Sequence, residues 1–90
     1  MLDIFYTSKF KKDYKKIVKQ GKPIKKKKKI IFLLQQQEVL PEKYKDHQLT
    51  GNYVGFRECH ITPDWLLIYQ VKEAQLILAL ARTGSHSELF

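Results

Sequence analysis

Ninety residues with 17 Lys and Arg against 9 Asp and Glu, a net charge of +8, make one basic domain with room for a single core and not for two. At 43% hydrophobic and 12% aromatic residues the chain can fold by burial, which excludes bulk disorder, and no apolar run approaches the roughly 20 residues of a membrane-spanning helix. The opening MLDIFYTSKF lacks the charged-then-apolar pattern of a signal peptide, and the one cysteine, Cys59, has no partner for an internal disulfide; a cytoplasmic, reducing setting is expected.

The apolar and aromatic residues 2–6 predict a short first strand. Ser8 then offers an N-cap, and Phe10, Tyr14, Ile17 and Val18 recur at the spacing of one helical face, up to Gly21. Pro23 suits the first turn of a second helix whose stripe runs through Ile24, Ile31 and Leu34. Its middle should supply an apolar residue at 27 or 28, yet residues 25–29 are all lysine. Either the lysine stems snorkel over the core or the helix begins only near Lys28. Residues 42–51 read as a loop carrying His47. From there the period is that of strands, at 53–61, 65–71 and 75–81, with short breaks that make a meander of hairpins. The expected fold is α+β, β-α-α-β-β-β, an antiparallel sheet packed against a two-helix hairpin in one domain over residues 1–90.

The charge is uneven. Residues 1–50 hold 14 lysines against 5 acids, or +9, and residues 51–90 hold 3 bases against 4 acids, or −1. A face so rich in ammonium groups suits a polyanion, whose condensed counterions it would release, although a solvated lysine surface that serves solubility explains the charge as well. In a meander, His60 at a strand end, Asp64 in the following turn, Trp65 after it, Arg82 at the last strand's end and His86 in the tail all fall at one sheet edge, whereas His47 is left unplaced by the pairing. Histidine donates and accepts protons near neutral pH, and two histidines with an arginine suit cleavage of RNA: a base takes the 2′-hydroxyl proton, an acid protonates the leaving oxygen and a cation steadies the charge on phosphorus.

Three pieces of the chain, YKDHQLTG at 44–51, FRECHITPDWLLIY at 56–69 and RTGSHSELF at 82–90, resemble in order and spacing the RelE-like toxins of bacterial toxin–antitoxin systems. Within them the chain is similar, from residue 1 to residue 90, to the YafQ-type ribosome-dependent mRNA interferases. That resemblance implies the fold read above and a translation inhibitor that enters the ribosomal A site and cuts mRNA. It implies a site at His47, His60, Asp64, Arg82, His86 and Phe90. There His86 would be the general acid, and His47, His60 and Asp64 would activate or orient the 2′-hydroxyl, with the base left open among them. Arg82 would hold the scissile phosphate and Phe90 would stack on or position a base. The lysine helices, through Lys12, Lys16, Lys19, Lys26 and Lys29, would contact ribosomal RNA. A cognate antitoxin would neutralise the toxin, and operator DNA would be met only through the antitoxin complex. The five-lysine run is denser than the family pattern.

Trp65 opens a core strand, yet its ring could also stack on an unpaired base, so it stands as a candidate RNA contact. Arg57 and Glu58 read as strand-surface residues that pair with neighbours, and Cys59 as a small buried hydrophobe. Cys59 and His60 are neighbours on a strand and point to opposite faces, and no CxxC or HxxxH spacing occurs, so neither a metal nor a cofactor is expected. The alternative function is a basic module that binds RNA or DNA with an antitoxin and cuts nothing; a third reading is a structural partner whose tail folds only against another protein.

Overall fold

The computed structural model describes residues 1–90, and it makes the expected meander the centre of a five-stranded sheet. In chain order the elements are β1 (Asp3–Tyr6), α1 (Ser8–Lys19), α2 (Ile24–Gln35), β2 (His47–Gln48), β3 (Arg57–Thr62), β4 (Trp65–Lys72), β5 (Ile77–Gly84) and α3 (His86–Leu89), with single 3-10 turns at Glu42–Tyr44, Gly51–Tyr53 and Glu73–Gln75. The strand order is β1-β5-β4-β3-β2. The β2–β3, β3–β4 and β4–β5 pairs are antiparallel. β1 instead runs parallel to β5, from Asp3 beside Ile77 to Tyr6 beside Leu80, so the sheet is mixed. β5 is apolar on both faces and needs a neighbour at each edge; β4 supplies one and β1 the other.

Strand parity splits the side chains into two layers. Cys59, Ile61, Trp65, Leu67, Tyr69, Leu78 and Leu80 turn to one face, where α1 and α2 bring Phe10, Ile17, Ile30, Ile31 and Leu34 onto them as the main core. Leu66 and Ile68 turn to the other face, where Leu89 of α3 covers them with Leu49, Tyr53, Phe56 and Ala81 around it. Burying Leu89 contributes about 1.5–3 kcal/mol, which a four-residue helix without propagating turns depends on. The tail is thus folded on its own sheet.

α1 starts at Ser8, but its cap is Thr7, whose hydroxyl accepts from the Phe10 N–H at 3.0 Å. α2 is regular from Ile24 with Pro23 as the cap, so the lysine run does not delay it. The run is accommodated by snorkelling: Lys27 is half-buried at the core-facing position, and its ammonium lies 4.1 Å from the centre of the Tyr14 ring. Val18, expected on the buried stripe of α1, is exposed.

β1 stops at Tyr6, four residues before β5 ends, and two side chains of the helical segment take over the open edge of β5. The Thr7 hydroxyl faces the carbonyls of Leu80 and Ala81 at 3.0 and 2.9 Å, and Asp13 accepts from the Thr83 N–H at 3.1 Å. Asp13 is thereby fixed beside Arg82.

Candidate active site on the open face of the sheet

On β3, parity places Glu58 and His60 on the face opposite the main core, on either side of Cys59. β2, which the sequence leaves as loop, pairs His47 directly with Glu58 across the antiparallel ladder, and this brings the unplaced histidine to the site. The Glu58 carboxylate is 2% exposed; its Oε1 lies 3.5 Å from His47 Nε2 and 3.8 Å from His60 Nε2, while its Oε2 is buried with no hydrogen-bond partner. The Lys45 carbonyl stands 2.7 Å from His47 Nδ1. A carbonyl only accepts, so Nδ1 carries a proton, and the facing Nε2 and Oε1 then attract one another only when a further proton sits between them.

The segment before His47 is clamped. Asp46 accepts from Arg57 Nε and Nη2 at 3.3 and 3.2 Å and from the Tyr69 hydroxyl at 2.5 Å. Burial, aided by the Asp46 carboxylate, pushes the Tyr69 phenol well above its ordinary range, which keeps the hydroxyl protonated as a donor. The same carboxylate, by hydrogen bonding first, raises the Arg57 guanidinium. Burial likewise pushes the Cys59 thiol far up, so it stays an inert core side chain.

α3 delivers the second half. Ser85 and Glu88 form a capping box: the Ser85 hydroxyl accepts from the Glu88 N–H at 3.3 Å, and the Glu88 carboxylate accepts from the Ser85 N–H at 2.8 Å. That second bond, with smaller help from the Ser85 hydroxyl, Gln20 and Lys16, holds the Glu88 carboxyl below its usual range. Gly84 precedes the cap because a Cβ there would meet Glu88 Oε1 at 3.1 Å and Leu89 Cδ2 at 3.4 Å. With α3 seated, the His86 ring lies 6.1 Å from His60, centre to centre, and 5.6 Å from Phe90, which is 60% exposed and packs edge-on against Tyr53 at 5.7 Å.

Arg82 reaches this face through a bulge at Ala81 that resets the alternation, so that Arg82 pairs with Ile68. It arrives already engaged: its Nε and Nη2 donate to the Asp13 carboxylate at 2.7 and 3.1 Å. That pairing, with a lesser contribution from Tyr53, raises the guanidinium further still. Nη1 keeps its donors. Asp64 stands exposed in the two-residue turn between β3 and β4, without a hydrogen bond or ion pair. Trp65 is not an RNA contact: it is 0% exposed, and its indole N–H donates at 2.7 Å to the Thr83 hydroxyl, which donates to the Leu66 carbonyl at 2.8 Å, so neither ring face is free for a base. Lys12, Lys16, Lys19, Lys26 and Lys29 are all exposed on α1 and α2.

The residues thus brought together are His47, Glu58, His60, His86 and Phe90, with Arg82 joined to them through Tyr53. Glu58 is the member that sequence reasoning missed; its position two before His60 on a strand was the available signal, since that spacing gives both one face. Asp13 left no signal, because only the tertiary fold sets α1 against the end of β5. No three His, Cys, Asp or Glu side chains converge on a common point as a metal centre would require.

The arrangement has counterparts. Residues 2–90 match the family model of the bacterial toxin of type II toxin–antitoxin systems, YafQ. The mRNA interferase toxin YafQ of Escherichia coli K12 is 40% identical over 89 residues, which cover 98% of this chain and 95% of that protein. Among solved structures, a metal-bound toxin from Helicobacter pylori superposes with a TM-score of 0.94 at 49% identity over the whole of both chains. The toxin chain of the E. coli DinJ–YafQ complex does so with a TM-score of 0.89 at 40% identity, over 100% of this chain and 99% of that one. With the match running through both the capped tail and the histidine strand, the chain belongs to the YafQ family of bacterial type II toxins.

Proposed function

We propose that this protein is an mRNA interferase, an endoribonuclease that cuts mRNA in the ribosomal A site, inhibits translation and is held in check by a cognate antitoxin. The observation that carries the reading is the pair of histidine rings, His60 and His86, 6.1 Å apart with a buried carboxylate behind one of them. A phosphodiester seated at the pair has a proton acceptor on one side and a donor on the other. On the acceptor side, His60 or the His47–Glu58 pair takes the proton of the 2′-hydroxyl, and O2′ attacks phosphorus. The bond to the 5′-oxygen breaks, His86 protonates that oxygen, and the products are a 2′,3′-cyclic phosphate and a 5′-hydroxyl. Arg82, steadied by Asp13, offers its remaining N–H groups to the equatorial oxygens. Phe90, exposed beside His86, offers a face to a base. These steps ask nothing of a bound metal.

The lysines support an RNA partner: both arginines are ion-paired to aspartates, whereas no lysine is paired to a carboxylate. The DinJ–YafQ assembly of E. coli supports a cognate antitoxin for this chain. A binding module without catalysis would use the lysines and leave the buried Glu58 between two histidines without purpose.

The test is primer extension on an mRNA being translated in a reconstituted bacterial system. Wild type should leave discrete in-frame cuts that vanish with His86→Ala and when ribosomes are omitted. No cuts from folded wild-type protein would contradict the proposal.

A further inference from the structure

Beside the histidine cluster lies a second feature that the cleavage chemistry does not use. A cleft of about 470 Å³ runs between α2 and the turn at Glu42–Tyr44, floored by the end of β3. Lys26 and Lys29, one helical turn apart, form one wall; Lys43, Tyr44 and Lys45 form the other; Thr62 and Pro63 lie beneath. No carboxylate lines it, and none of its four lysines is paired to one elsewhere. The Lys43 ammonium lies 5.1 Å from the centre of the Tyr44 ring, and both residues line the cleft. Lysines set on both walls of a groove can meet successive phosphates of one flexible strand.

Two links join this cleft to the candidate active site. His60 belongs to both, as a lining residue of the cleft and as a neighbour of Glu58 and His86. Lys45 belongs to the wall and, through its carbonyl, fixes the His47 ring. A strand whose phosphate lies at His60 therefore has its adjoining nucleotides over the cleft.

We infer that the cleft formed by Lys26, Lys29, Lys43 and Lys45 is a binding site for the single-stranded RNA adjoining the scissile phosphate, that is, for the substrate strand and not for ribosomal RNA. The inference rests on the endoribonuclease reading of the histidine cluster. It gives Lys26 and Lys29 a different partner from the rest of the lysine face and adds Lys43 and Lys45. Lys25 and Lys28, outside the cleft, remain on the outer surface of α2.

Binding separates this from catalysis. An eight-nucleotide RNA carrying 2′-O-methyl groups throughout cannot be cut by 2′-hydroxyl attack, so its affinity, read by fluorescence anisotropy over a range of NaCl concentrations, reports the cleft even if the protein cuts nothing. The paired variants Lys26→Gln/Lys29→Gln and Lys43→Gln/Lys45→Gln should each weaken binding and flatten the plot of log K against log salt by about 1.4, two phosphate contacts at about 0.7 each on a single strand. Lys25→Gln/Lys28→Gln should leave that slope closer to wild type. Affinity for vacant ribosomes without mRNA should change less in the cleft variants than in Lys25→Gln/Lys28→Gln. Oligonucleotide binding that is absent in the wild type or unchanged in the cleft variants overturns the inference, and a loss confined to vacant ribosomes reassigns the cleft to ribosomal RNA.

Discussion

Glu58 is a carboxylate the fold could do without. It is nearly inaccessible, one of its oxygens has no partner, and the other has only two imidazoles, an arrangement that costs stability unless a proton or a charge offsets it. Glu58→Gln keeps the shape and removes the charge. The melting temperature should stay level or rise, while mRNA cleavage should fall by about 10²-fold, in the range of general acid–base contributions. Unchanged cleavage in a folded Glu58→Gln protein would remove the carboxylate from the mechanism. The residue also shows where sequence reading stops. His60 and His86 converge as the meander predicts, because hairpin geometry alone fixes the edge they share. Glu58 was hidden because an acid on a strand reads as a surface residue paired with a neighbour, whereas here it is buried and faces two histidines. Trp65 reads both ways in sequence, as the opening of a core strand and as a ring beside an aspartate, and the core reading holds because β5 supplies Thr83 as the acceptor of its buried indole.

At the scale of elements, α3 is the part on which the proposed chemistry depends and the part with least support of its own. Four residues cannot sustain a helix, so the capping box and the burial of Leu89 hold it. Ser85→Ala should cost about 1 kcal/mol locally and slow cleavage severalfold by loosening His86, with little change in global melting, because a terminal helix can open without the core. Equal losses in melting and cleavage would show that α3 is instead integral to the core. The depressed Glu88 carboxyl gives this a pH sign. A folded-state pKa below the unfolded one adds stability above the ordinary glutamate range, near about 4.3, and that stability is lost as pH falls through the lower, folded value. Acid should therefore release α3 before the sheet, visible as early loss of protection at the Glu88 and Leu89 amides. The helix was invisible in sequence because RTGSHSELF has the cap residues but no apolar periodicity, and its one buried side chain, Leu89, is a lone signal. The parallel placement of β1 was equally hidden, since strand patterns tell which residues are extended and not which edge they join.

Across the whole molecule, ion pairing is sorted by residue type: both arginines are paired, to Asp46 and Asp13, and no lysine is paired to a carboxylate. The basic half predicted from composition is therefore present as an unneutralised surface. Alkaline stability follows from the core. The Cys59 thiol is fully buried and its folded pKa is raised, so its contribution is intact below the ordinary thiol value of about 8.5 and declines as pH climbs above it, by about 1.4 kcal/mol per pH unit while only the unfolded chain is ionised. Urea unfolding should show a loss of about 1 kcal/mol from this thiol between about pH 8.5 and 9.5 in the wild type, absent in Cys59→Ala; identical pH dependence in the two would contradict the burial argument. The most direct test of the account as a whole concerns the nucleophile. A translated mRNA carrying a single 2′-deoxynucleotide immediately 5′ of a mapped cut should resist cleavage at that bond alone, while the all-ribose message yields a 2′,3′-cyclic phosphate end. Cleavage of the deoxy message at an undiminished rate would mean that water, and not the 2′-hydroxyl, attacks phosphorus, and would contradict the roles given to His60 and His86.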